Sequence, residues 1–310
     1  MESGQERKRV LIIAPGALGD LICLLPAIRA LGAYYSDSGL ELMARAELAD
    51  FAAGRMGVAR GHSIDRREVS LLFSPDADAA ARAAEFFGAF TSIHSFFGAD
   101  NPRLREVLRA ACPGKVYFYP FRPDSAGHIS DAYLRMVRET VPGVMRQTAA
   151  LALRPEDVDA ARWMASQCGL EPGRYVLLMP GSGSRDKNWP AKNYLELARH
   201  LSLRGAVVAV LGPAEERLRP VFSTIPNICN PPLGTLGGLA RLSAAFIGND
   251  SGVSHLAAAS GAPGVVIFGP TDPARWRPAG AVTVLRRMPL RELDWREVAD
   301  ALALVQRRAE

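Results

Sequence analysis

The chain has 310 residues, with 37 Lys and Arg against 32 Asp and Glu and a net charge of +5. Two domains of ~150 residues fit that length, and 48% hydrophobic with 22% charged residues excludes a largely disordered chain. Only Lys8, Lys115, Lys187 and Lys192 are lysines; the arginines form no long run and no aromatic-interleaved stripe, which argues against a nucleic-acid partner.

Taken from the start, Met1–Arg9 and Val10–Gly19 have the outline of a signal peptide, but Pro15, Gly16 and Gly19 break it and Asp20 ends it. Val10–Ile13 reads instead as a buried parallel strand. After the turn Gly16-Ala17-Leu18-Gly19 a helical pattern begins at Leu21, with Pro26 expected to kink it. Leu40–Met43 predicts a strand, Glu47–Ala53 a helix, Ala77–Phe90 a helix, Ser92–Phe97 a strand, Asn101–Ala111 a helix and Val116–Tyr119 an extended segment. Strands alternating with helices predict βαβ units on a parallel sheet.

Leu151–Pro155 reads as a linker, followed by a helix over Glu156–Cys168 with Pro155 in its first turn and Gly169 at its C-cap. The alternation then restarts: strands at Tyr175–Met179, Ala206–Leu211, Ala245–Gly248 and Val265–Phe268, helices at Tyr194–Leu203, Leu236–Ala244 and Ser254–Ala259. Asp294 and Glu297 predict a capped final helix whose buried stripe is Val298, Leu302 and Val305. The class is therefore α/β, with two Rossmann-like domains. No stretch reaches ~18 uninterrupted apolar residues, and Cys23, Cys112, Cys168 and Cys229 form no CxxC pair, so they read as reduced thiols of a cytoplasmic protein.

Ligands of open α/β sheets bind beyond the carboxyl ends of strands, and three loops there are chemically rich. In Pro15–Asp20, Gly16 and Gly19 give only GxxG, not a dinucleotide fingerprint. Asp20 either caps the next helix or serves as a general base. Pro180–Pro190 is not a Walker A loop, yet its glycines, hydroxyls and Lys187 suit a pyrophosphate. In Phe246–Ala259, Ser251 and His255 share a helix face near its positive end, where a phosphate could sit; the alternative makes Asp250 an N-cap and His255 a core histidine. The five histidines have no zinc-ligand spacing, no GxSxG elbow is present, and Asp76-Ala77-Asp78 reads as a helix cap.

Together, Leu11–Arg29, Pro180–Pro190 with its Lys-Asn-Trp-Pro, and Asp250–Pro263 followed by Phe268-Gly269-Pro270-Thr271 resemble glycosyltransferase family nine, the bacterial heptosyltransferases of the lipopolysaccharide inner core. The resemblance implies a GT-B fold, two Rossmann-like domains facing a central cleft. The acceptor half would be residues 1–153 and the nucleotide-sugar half 154–290, with the helix in 291–310 packing back on the first domain. It implies Asp20 as catalytic base beside the cleft loop Gly16, Ala17 and Gly19. The donor diphosphate would be held by Ser182, Gly183, Ser184, Lys187, Asp250, Ser251, Gly252 and His255, and the ribose by Glu215 or Glu216.

It further implies metal-independent, inverting transfer of a heptose from ADP-heptose, with no cofactor, to a glycolipid or oligosaccharide acceptor. The enzyme would work in the cytoplasm, peripherally at the inner membrane. Met179 departs from the pattern, standing where many members carry histidine. The alternatives are a nucleotide-sugar epimerase or hydrolase of the same fold, or a non-catalytic nucleotide-sugar-binding protein; a nicotinamide oxidoreductase lacks its glycine motif here.

Overall fold

A computed structural model describes residues 8–147 and 150–309; the charged start of the signal-like segment, residues 1–7, lies outside the described residues. The chain divides into two compact units between Ala152 and Leu153, one residue from the expected boundary.

The first unit runs β1 (Arg9–Ile13), α1 (Leu18–Tyr34), β2 (Gly39–Ala44), α2 (Ala46–Ala52), β3 (Arg60–Ser63), α3 (Arg67–Leu71), α4 (Ala79–Phe87), β4 (Ser92–Ser95), α5 (Pro102–Ala111), β5 (Lys115–Phe118) and α6 (Ile129–Thr140). Its five strands are parallel in the order β3-β2-β1-β4-β5. The run Val10–Ile13 is buried throughout, as a central parallel strand requires. Strand order reverses between β1 and β4, which opens a crevice beyond their carboxyl ends, where Gly16 and Asp20 follow β1. Leu11, Ile93, Phe87, Phe90, Leu104 and Leu108 pack one face of this sheet.

Two polar networks lie inside that unit. Arg9 donates to both carboxylate oxygens of Glu41 at 2.7 and 3.0 Å, and His62 Nε2 joins Glu41 from the neighbouring strand at 2.5 Å. Burial works against the Glu41 charge, but Arg9 and His62 outweigh it and hold the carboxyl below its ordinary range. On β4, fully buried His94 joins the Tyr119 hydroxyl at 3.0 Å and the Tyr35 hydroxyl at 3.1 Å. Desolvation pushes His94 down to about 3, so it stays neutral.

The second unit runs α7 (Pro155–Gln167), β6 (Tyr175–Met179), α8 (Ala191–Ser202), β7 (Ala206–Leu211), β8 (Asn227–Cys229), α9 (Leu233–Leu242), β9 (Ala245–Asn249), α10 (Gly252–Ala259), β10 (Gly264–Phe268), α11 (Pro273–Trp276), β11 (Val282–Arg286) and α12 (Trp295–Ala309). Its six parallel strands are ordered β11-β10-β9-β6-β7-β8. The reversal falls between β6 and β9, and this places the loops after Met179 and Asn249 side by side.

The last helix, expected to return to the first domain, lies in the core of the second unit. Val298, Leu302 and Val305 are buried in one core with Ile247, Val265, Ile267 and Tyr194, and α12 packs against α8, β9, β10 and β11. The cap has the expected form: Asp294 Oδ1 accepts the Arg296 N–H and Glu297 accepts the Asp294 N–H. The apolar stripe that follows finds its groove on its own sheet. Cys23, Cys112, Cys168 and Cys229 form no disulfide among the described residues. Among the described residues no helix is long and apolar enough to cross a membrane.

Candidate active site

Each sheet gathers its expected residues at its own strand-order reversal. In the second unit β6 ends at Met179 and the chain enters 180–190, whose middle, Arg185–Lys187, forms a single 3₁₀ turn. Lys187 Nζ donates to Asp250 Oδ2 at 2.7 Å, and the Thr271 hydroxyl donates to the same oxygen at 2.6 Å. Asp250 is 5% exposed in its side chain and Lys187 30%, so the carboxylate is sunk below the ammonium that covers it. A lysine has three donors. With one committed to Asp250, the ammonium is oriented and still able to meet an anion.

Ser251, not Asp250, is the N-cap of α10: its hydroxyl accepts the Ser254 N–H at 3.4 Å, which releases Asp250 for Lys187. His255 is buried one turn along the helix, with Gly252 in the first turn between them. The start of α10 therefore presents its positive end beside the 180–190 loop. In that loop the Ser182 hydroxyl donates to Ser184 O at 2.6 Å and accepts the Ser184 N–H at 3.3 Å, which folds the exposed tip around Gly183.

Glu215 and Glu216 differ in their surroundings. Glu216 is exposed, whereas Glu215 Oε2 accepts the Gly212 N–H at 3.1 Å and its carboxyl lies directly on Gly181. A Cβ built on Gly181 would stand 2.1 Å from Glu215 Cδ, so any side chain at 181 would displace this carboxyl. Burial raises the Glu215 carboxyl above its ordinary range, outweighing the Gly212 N–H that favours the anion.

In the first unit Asp20 is buried at the third position of α1, and its Oδ2 accepts the N–H of the N-cap Ala17 at 3.0 Å. The capping role is thus real. Asp20 is also gripped by Arg122, a residue for which the sequence held no motif: Arg122 Nε reaches Oδ1 at 3.0 Å and Nη2 reaches Oδ2 at 2.9 Å. Arg122 follows β5 in a left-handed conformation, φ 54°, and Phe121 beside it lies on Gly16, where a Cβ would meet both the Phe121 ring and Asp20. Gly19 sits one residue before Asp20 in the first turn of α1. Buried Tyr133 of α6 feels the same carboxylate: burial first and the Asp20 charge second push its hydroxyl's pKa up.

An α/β chain with two parallel sheets, each carrying polar loops where its strand order reverses, defines the GT-B class of fold. The family model of glycosyltransferase family 9 (heptosyltransferase) matches residues 136–300, more than half of the chain, and the chain belongs to that family. It is 28% identical over 144 residues to lipopolysaccharide heptosyltransferase 1 of Escherichia coli O18:K1:H7, a stretch covering 44% of each chain, so less than half of that relative's length is matched. A glycosyltransferase family 9 structure from Veillonella parvula superposes with a TM-score of 0.81 at 18% identity over 97% of both chains. An E. coli heptosyltransferase solved with ADP gives 0.71 at 19% identity, over 96% of this chain and 99% of that one.

Proposed function

We propose that this chain is an inverting glycosyltransferase that moves a heptose or related sugar from an ADP-sugar to a hydroxyl of a lipopolysaccharide-core or other glycan acceptor. The observation that carries the reading is the Lys187–Asp250 pair between the β6 and β9 loops, inside the stretch matched to the family. An oriented ammonium, the amides of 182–184 and the positive end of α10 form a set of donors suited to a diphosphate leaving group. Glu215, anchored on Gly181 and Gly212, is the carboxylate offered to the ribose hydroxyls.

In this reaction the acceptor oxygen attacks the anomeric carbon as the bond from that carbon to the β-phosphate oxygen breaks. The acceptor's proton passes to Asp20. Asp20 Oδ1 accepts one bond from Arg122, while Oδ2 accepts two, from Arg122 and Ala17, which makes Oδ1 the oxygen to receive that proton. The ADP that departs carries its charge onto Lys187 and the backbone donors. An acceptor borne on lipid places the enzyme peripherally at the cytoplasmic face of the inner membrane.

The test is a thermal-unfolding series with ADP, UDP, GDP and CMP. A ligand that binds only the folded protein stabilises it by about 2.7 kcal/mol at a hundred times its Kd. ADP is expected to raise the midpoint and the other three to leave it in place. A stronger response to another nucleotide, or none to ADP, would overturn the donor assignment.

A further inference from the structure

We propose that Asn249 is the positioning residue of the diphosphate loop, a buried clasp that ties both ends of that loop together and so fixes where Lys187 stands. This rests on the reading of Lys187 as the diphosphate's cation. Asn249 is the last residue of β9 and is fully buried. Its Oδ1 accepts the Trp189 backbone N–H at 3.0 Å and the Tyr194 O–H at 3.1 Å. Its Nδ2 donates to the Pro180 carbonyl at 2.8 Å and, more weakly, to Asn188 Oδ1 at 3.5 Å. The orientation of the amide follows from its partners, because a backbone N–H needs an acceptor and a carbonyl needs a donor.

Pro180 and Trp189 bracket the segment that carries Ser182, Ser184 and Lys187. One side chain therefore holds its first and last residues, while the hydrogen bonds of its exposed tip, between Ser182 and Ser184, are internal to the loop. The next residue along the chain, Asp250, holds the Lys187 ammonium. Adjacent residues at the end of one strand thus set the loop's backbone and its cation. Trp189 is fixed from its other side as well, since its indole N–H donates to Leu293 O at 3.1 Å, which gives the clasp a rigid anchor. Only an amide of this length serves. Leucine would leave the Pro180 carbonyl, the Trp189 N–H and the Tyr194 hydroxyl without their partner, and ionised aspartate has no N–H for Pro180.

The experiment compares Asn249→Ser and Asn249→Asp with the parent in the full chain, first by amide hydrogen exchange without any nucleotide. In Asn249→Ser, whose hydroxyl is too short to reach it, exchange at the Trp189 amide at pH 8 is expected to quicken about 10-fold, in step with the loss of one buried hydrogen bond, while the amides of β7 and β10 keep the parent's rates. Asn249→Asp keeps that acceptor and loses only the donor to Pro180. Its ADP affinity by calorimetry is expected to fall about 10-fold at pH 8 and to recover toward the parent's at pH 5.5. There a buried aspartate takes up a proton and regains a donor for Pro180. The groups facing position 249 are the Tyr194 hydroxyl, which burial keeps neutral, and the Asn188 amide, with the Lys187–Asp250 pair one residue on; comparison with the parent at each pH removes their contribution.

An unchanged Trp189 amide in folded Asn249→Ser, or undiminished ADP affinity of Asn249→Asp at pH 8, would overturn the clasp. If the parent itself does not bind ADP, the diphosphate reading fails, and the exchange measurement still decides the clasp. Asn249→Ala serves the same exchange comparison if the serine variant does not fold.

Discussion

Arg122 grips both carboxylate oxygens of Asp20, at 3.0 and 2.9 Å, across 102 residues of sequence, with the arginine 55% exposed and the aspartate 6%. The pair joins the loop after β5 to the first turn of α1 and fixes the plane of the carboxylate. Arg122→Ala removes that hold but leaves the Ala17 N–H in place. Because Arg122 is largely solvated, water replaces part of the loss, and stability is expected to fall by only about 1 kcal/mol. The turnover rate is expected to fall about 10-fold through lost orientation of the base, with ADP affinity unchanged. Steady-state kinetics beside calorimetry check this; equal loss of ADP affinity would place Arg122 in the donor site.

That pair also marks where sequence reasoning stopped. The buried strands β1, β6, β7, β9 and β10 were legible because continuous apolar runs are what a doubly covered parallel sheet needs. By contrast β3, Arg60–Ser63, is short and polar, and β11, Val282–Arg286, has no fully buried position, so neither carries the signal of a central strand. The helix α6 was missed although Ile129, Ala132, Tyr133 and Val137 form its buried stripe. Asp20, Lys187 and Asp250 were legible as residues of loops after strands, but their partners were not: Arg122 and Thr271 reach them through strand order, which local sequence does not state. The buried stripe of the final helix, Val298, Leu302 and Val305, was legible from its spacing, but the surface it packs on was not.

Lys187→Ala deletes a charge-assisted contact in a partly buried setting. Such bonds contribute about 1.5–3 kcal/mol, so ADP affinity is expected to drop between about 10- and 100-fold. Acceptor affinity is expected to stay as in the parent. Calorimetric titration of ADP into the variant decides; equal affinities would remove Lys187 from the diphosphate site.

Gly181→Ala is a small change with a defined target. The new methyl would stand 2.1 Å from Glu215 Cδ, so the glutamate must swing away. ADP affinity is expected to fall about 10-fold, the worth of one lost hydrogen bond to a charged group, whereas inorganic pyrophosphate, which has no ribose, competes as well as before. Loss of both to the same degree would show that Glu215 shapes the loop without meeting the ribose.

Acid should weaken the first unit through His94. Burial pushes its pKa down to about 3 from an ordinary 6.5. The unfolded chain therefore binds a proton that the folded one refuses as pH falls through 6.5, and stability declines from there toward pH 3. The Arg9–Glu41 pair adds a second loss at lower pH, since Glu41 is held below its ordinary range. His94→Gln keeps hydrogen-bonding groups without the titration. Its urea midpoint is expected to be lower than the parent's at pH 7.5 but flatter between pH 6.5 and 4.5; parallel pH curves would assign the acid limb elsewhere.

In the proposed reaction Asp20 takes the acceptor's proton while the second unit holds an ADP-sugar. The direct measurement is ADP release from ADP-heptose, with and without a heptose-free lipopolysaccharide-core acceptor, for the parent and for Asp20→Asn. Release from the parent is expected only when acceptor is present. Asp20→Asn is expected to lose about 100-fold or more of that release, the usual scale of a lost general base, with ADP-heptose binding retained. Release or epimerisation without acceptor, or full turnover by Asp20→Asn, would contradict that reaction.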